Sequence, residues 1–185
     1  MDAWINTCNE GSWAGSNGLK YIIKTLKKKP VDYIYISHLH TDHFDYKFLK
    51  DLKKYQKKKF NIIIKKFKDN RLKNKIKSEG FRDIIDLEEY KILRLGKFSN
   101  FLILPQISAS NTPNAYINYD LDTSCIFQDK NVNLYNQVDN AYSEQDIKSV
   151  LKELKKKKID INFDLGLVLY KKKTENTKLL FIIGV

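Results

Sequence analysis

The amino-acid sequence predicts a layered α/β fold, and three observations carry that prediction. Apolar residues recur at helical spacing in some stretches and in short β-prone clusters in others. Up to Leu87 the two kinds alternate as α-β-α-β-α-β, the order that lays helices against a sheet. From about Glu89 the pattern turns to strands, interrupted by one further helix.

Gly18 to Lys29 places Leu19, Ile22, Ile23 and Leu26 at i, i+3, i+4, i+7, an amphipathic helix that Pro30 stops. Val31 to Ile36 follows as a short strand. Tyr46 to Lys58 reads as a second helix with Phe48, Leu49, Leu52 and Tyr55 on one face, and Phe60 to Ile64 as a buried strand. A third helix around Asn70 to Ser78 is closed by Gly80, a residue suited to the left-handed turn after a helix. Arg82 to Leu87 is the third strand. Beyond it, Tyr90 to Leu95, Phe101 to Ile107, Ser124 to Gln128 and Asn131 to Val138 read as strands, with a hairpin turn at Gln128-Asp129-Lys130-Asn131. Ser143-Glu144-Gln145-Asp146 resembles a capping box opening a helix through Lys158, with Ile147, Val150, Leu151 and Leu154 inward. Two last strands fit Asp164 to Tyr170 and Leu179 to Ile183.

A length of 185 residues with 42% hydrophobic residues fits one domain, 1–185, with a substantial core. No apolar run approaches the roughly 18 residues that span a bilayer, so no membrane partner is expected. Met1-Asp2-Ala3-Trp4 lacks the basic-then-apolar order of a signal peptide. Cys8 and Cys125 make neither a disulfide framework nor a CxxC pair, which suits a reducing cytoplasm. The formal net charge is +12, yet only Arg71, Arg82 and Arg94 are arginines, the residue suited to bidentate phosphate and base contacts. The lysine runs at 27–29, 57–59, 155–158 and 171–173 fall at helix ends or in a turn, where cations complement the helix dipole. A solvated lysine background explains them better than a nucleic-acid surface.

Chemistry concentrates in one loop. All three histidines lie in Ser37-His38-Leu39-His40-Thr41-Asp42-His43, directly after the strand ending at Ile36. Imidazole and carboxylate together suit zinc, iron or manganese. At the end of a strand, His38 and His40 can aim at one divalent metal while Asp42 and His43 fold back towards a second. Loops at the carboxyl edge of a sheet are where α/β proteins usually place ligands. Other chemistry is weaker. Ser124-Cys125 has no histidine left to serve as its base. Gly15-Ser16-Asn17-Gly18 lacks the Gly-Lys-Ser/Thr ending of a phosphate loop. Trp4 and Trp13 read as core aromatics.

The H-x-H-x-D-H motif after an apolar strand resembles the signature of the metallo-β-lactamase superfamily. Asp2-Ala3-Trp4 with Gly11-Ser12-Trp13 looks like the D-P-W…G-x-W segment of the UlaG-like and CMP-N-acetylneuraminate hydroxylase-like branch, with Ala3 in place of Pro. Asp122-Thr123-Ser124-Cys125 followed by Asn136-Gln137-Val138-Asp139 is similar to that branch's D-S-x…N-x-x-D stretch. The resemblance implies a four-layered αββα sandwich, shortened at both ends. It implies that His38 and His40 bind the first metal, Asp42 and His43 the second, and that Asp139 bridges them. The metal is zinc by this reading, with manganese or iron as alternatives. It further implies a hydrolase in which a metal-bound hydroxide, oriented by Asp42, attacks a phosphoester, lactone or similar small anionic metabolite. Relatives supply further histidines downstream; here none follows His43, and Asp122 and Asp164 are the replacements at hand. That gap keeps a second expectation open, a degenerate relative acting as an interaction module. A nucleic-acid binder or nuclease, drawing on the +12 charge, stands third.

Overall fold

The computed structural model describes residues 19–56, 58–106, 122–130, 132–140 and 142–159. The segments around Trp4 and Trp13, the Gly15–Gly18 stretch, Cys8, Asp164 and the last two expected strands lie outside these residues. The chain divides into two compact units, residues 1–87 and 88–185.

In the first unit the order is α1 (Leu19–Lys28), β1 (Tyr33–Tyr35), α2 (Tyr46–Tyr55), β2 (Asn61–Lys65), α3 (Arg71–Ser78) and β3 (Ile84–Leu87). The three strands form a parallel sheet in the order β1-β2-β3, with Ile34 beside Ile62 and Ile62 beside Ile84. β2 is central, with three consecutive isoleucines between Asn61 and Lys65. Its Ile62, Ile63 and Ile64 are each 1% exposed, the burial on both faces that parallel strands require. Ile34, Ile36, Ile62 and Ile64 form one core with Phe48, Leu49 and Leu52 of α2 and Leu72 and Ile76 of α3, and Leu26 of α1 packs against it. Tyr55, expected on the buried face of α2, is exposed instead, with the ammonium groups of Lys27 and Lys54 over its ring.

Gln56 ties this layer together. It follows α2, is buried, and donates from Nε2 to the carbonyls of Val31 (2.7 Å) and Lys58 (2.8 Å) while its Oε1 accepts from Val31 N (2.8 Å). The helix end and the approach to β1 are therefore cross-linked by one amide.

The second unit contains β4 (Leu93–Arg94), β5 (Asn100–Leu104), β6 (Ser124–Asp129), β7 (Val132–Asn136) and α4 (Glu144–Lys156). The strands form an antiparallel sheet in sequential order. Leu102, Leu104 and Ile126 pack with Val150 and Leu154 of α4; Phe101, Ile103 and Cys125 alternate onto the opposite face and are buried too. Leu151, expected inward, is exposed. β4 is much shorter than the stretch 90–95 expected, because Tyr90 sits in a turn at φ +59°, incompatible with a strand. The β6–β7 reversal falls one residue later than expected, since Asp129 pairs with Val132 and its Oδ1 accepts from Lys130 N (2.6 Å). The capping box is present as read: Ser143 Oγ accepts from Asp146 N, and Asp146 accepts from Ser143 N. Two open sheets, each carrying helices on one face, give the α/β architecture expected and are consistent with the αββα class.

Candidate metal centre

The histidine loop begins where β1 leaves the sheet. Ile36 N still donates to Ile63 O (3.0 Å), so the ladder runs one residue past the strand before Ser37 and His38 turn out at its carboxyl edge. Both are buried, at 0% and 3% exposure, whereas His40 is exposed. His43 N and Phe44 N both donate to His40 O, at 3.0 and 2.7 Å, which folds Thr41 to His43 back in one turn. Phe44 anchors that turn in the core. Asp45 then caps α2, its Oδ1 accepting from Phe48 N at 2.9 Å. A sheet edge on one side and a capped helix on the other fix the loop.

Within it the three imidazoles converge. His38 Nε2 lies 2.7 Å from His40 Nδ1, and the ring centroids of His38 and His43 are 4.2 Å apart. Asp42 is brought against His43, Oδ2 to Nε2 at 3.5 Å. The other nitrogen of His38, Nδ1, is 2.9 Å from Ser37 Oγ.

The two imidazole nitrogens face each other at hydrogen-bond distance, with the donor and acceptor roles set by the tautomers. A tetrahedral zinc bound to both would hold them about 3.3 Å apart, from bond lengths near 2.0–2.1 Å. Opening the pair by about 0.6 Å would admit such an ion between these two side chains. The donor set therefore fits a divalent ion, and Ser37 is placed to accept from Nδ1–H when Nε2 is the ligand.

The remaining expected residues belong to the second unit. Asp139 lies exposed in the turn after β7, and it too offers a carboxylate oxygen as a ligand atom. Its turn is firmly held. Asn140, 3% exposed, donates from Nδ2 to Ser124 Oγ (2.9 Å) and Pro105 O (3.0 Å), and Tyr142 OH also donates to Pro105 O. Val138, just before Asp139, has φ +56°, a conformation that costs a β-branched residue about 1–2 kcal/mol. Asp122, offered as a replacement ligand, is buried, with Oδ1 accepting from its neighbour Thr123 N (2.6 Å) and its own N–H donating to Gln106 Oε1 (3.2 Å). Sequence reasoning missed Ser37 and Asn140 as supports; their signal was adjacency, each being next to a candidate ligand.

No protein-family model and no curated protein matches the sequence. Solved structures do resemble the chain. An isothiocyanate hydrolase from Delia radicum gut bacteria superposes with TM-score 0.50 at 14% identity, over 83% of this chain and 57% of that one. A "possible metal-dependent hydrolase" from Veillonella parvula DSM 2008 gives TM-score 0.52 at 15% identity, over 84% and 58%. The chain has a metallo-β-lactamase-like fold. It spans less than three-fifths of the length of either structure.

Proposed function

We propose that this chain is a metal-dependent hydrolase in which His38, His40 and Asp139 hold a divalent ion, zinc with manganese or iron as alternatives. Asp42 and His43 serve a second metal position beside it, and Asp42 orients the attacking water. The observation that carries the reading is the facing pair of ring nitrogens on His38 and His40, fixed in a loop at the carboxyl edge of a parallel sheet. When bound, the ion supplies Lewis acidity, making water available as a nucleophile near neutral pH and polarising the substrate oxygen. The chain's own contribution is positional. Ser37 sets the tautomer of His38, Phe44 and Asp45 hold the loop, and the turn after β7 presents Asp139. The reading takes residues 1–185 as one domain.

The substrate we assign is a phosphoester, lactone or similar small anionic metabolite, to which the +12 charge is complementary. The Asp122…Asn136-x-x-Asp139 stretch supports placement in the UlaG-like branch. No described helix is long and apolar enough to cross a membrane, and the sparse cysteines support a cytoplasmic setting. Metal content per chain, with hydrolysis of a phosphodiester, a lactone and an isothiocyanate, tests the reading. Wild type should carry metal and cleave one of these; His38→Ala combined with His40→Ala should lose both properties. Metal at background in freshly purified wild type would overturn it.

One observation favours a second reading, a non-catalytic relative used as an interaction module: no histidine follows His43. A site with fewer than three protein ligands per ion is a poor catalytic centre. On that reading the double substitution leaves stability and function unchanged.

A further inference from the structure

We propose that Val138 and Asn140 are positioning residues, which hold a strained turn in the one conformation that presents the Asp139 carboxylate as a metal ligand. The inference rests on the metal-site reading above, and its argument lies wholly within the second unit.

β7 ends at Asn136, and the chain reverses at once: Asn140 N donates to Gln137 O at 3.2 Å. The same carbonyl accepts from Ser124 Oγ at 3.1 Å, so Gln137 is fixed from within the turn and from β6. Val138 N donates to Asn136 Oδ1 at 3.3 Å. The buried Asn140 amide reaches the start of β6 and the end of β5 together, through Ser124 Oγ and Pro105 O. Residues on both sides of Asp139 are thus pinned to the sheet while Asp139 itself is exposed.

A glycine at 138 would adopt φ +56° freely; the chain carries valine, the kind of residue least suited to it. Strained backbone of this sort persists only where surrounding bonds over-determine it, and it clusters at sites whose geometry must be held. A valine in the left-handed region has few neighbouring conformations to relax into, so the direction of the following side chain is narrowly set. Glycine would release the strain and that direction together. Stability and ligand placement should therefore move in opposite senses, which a merely structural turn would not show.

The test measures zinc affinity, by competition with a chromophoric chelator, and the thermal midpoint of the same full-length protein. Val138→Gly should keep or raise the metal-free midpoint and weaken zinc roughly tenfold, the scale on which affinity falls when the groups that orient a ligand are lost. Asp139→Asn, run alongside, should weaken zinc at least as much. If Asp139→Asn weakens zinc and Val138→Gly binds it as wild type does, the positioning role is overturned while the metal site stands. If Asp139→Asn leaves affinity unchanged, the metal-site reading falls and this inference with it. Should Val138→Gly not fold, Ser124→Ala, which removes the hydroxyl from both Gln137 and Asn140, carries the same expectation on zinc. Unchanged affinity there overturns the proposal.

Discussion

Ser37 is fully buried, and its hydroxyl stands 2.9 Å from His38 Nδ1. A ring nitrogen bound to a metal needs its lone pair, which requires the proton on the opposite nitrogen and a partner there to accept it. Ser37→Ala removes that partner without adding volume. We expect zinc affinity to fall about tenfold, and stability to fall by about 1 kcal/mol from the lost buried hydrogen bond. Calorimetric zinc titration beside thermal melts of the metal-free protein checks both; an affinity equal to wild type would remove Ser37 from the site. At this scale the sequence was partly legible. Spacing alone singled out His38, His40 and His43, because their convergence follows from strand-end alternation and one turn. Ser37 was not singled out, because a serine beside a histidine is ordinary until its burial is known. Tyr55 and Leu151 were misjudged for a related reason. Periodicity marks a stripe on a helix but not where the covering layer ends, and both lie at the edge of that stripe, exposed.

Two helices end in the same hydrogen-bond pattern with different residues at its critical position. After α3, Gly80 N donates to Lys77 O (2.9 Å) and Phe81 N to Ile76 O (3.3 Å); after α4, Lys158 N donates to Lys155 O (3.0 Å) and Ile159 N to Leu154 O (3.0 Å). Both are Schellman closures, with the residue after the cap left-handed: Gly80 at φ +89° and Lys158 at φ +55°. Glycine bears that conformation freely and lysine does not. Lys158→Gly should stabilise the protein by about 1 kcal/mol, raising the melting midpoint by roughly 2–4 °C, and Gly80→Ala should lower it by a similar amount. A destabilised Lys158→Gly would show that the lysine side chain contributes more than its backbone costs. Elements were the most legible level. All four described helices and every described strand overlap the stretches that the apolar pattern marked out, since burial dictates that pattern. Local backbone conformation was hidden, as at Tyr90, whose left-handed turn cuts β4 to Leu93–Arg94. Only packing reveals a residue held against its own preference.

At the scale of the molecule, the positive charge is distributed by the helices. Every described helix has lysines in its last turn, Lys27 and Lys28, Lys53 and Lys54, Lys75 and Lys77, Lys155 and Lys156, where they meet the negative end of the dipole. That much of the +12 was legible as helix ends. The core of the second unit was not, because it buries phenols that a sequence cannot distinguish from surface ones. Tyr135 and Tyr142 stack with centroids 6.4 Å apart under α4, and Tyr90 packs against the same core. Burial pushes the phenols of Tyr90 and Tyr135 up to about 12 and drives Tyr142 upward too. The folded state thus favours the neutral phenols, while the unfolded chain ionises near the ordinary value of about 10. Below pH 10 both states hold these protons and the contribution is complete. Between about 10 and 12 the unfolded chain loses them first, so stability falls as pH rises, on the order of 2 kcal/mol from Tyr135 alone. Alkaline titration followed by phenolate absorbance and circular dichroism should show part of the tyrosine signal delayed past pH 10 and appearing together with unfolding. Ionisation of all tyrosines near pH 10, with the fold intact, would mean that these phenols are open to water and that the layer beneath α4 is not closed.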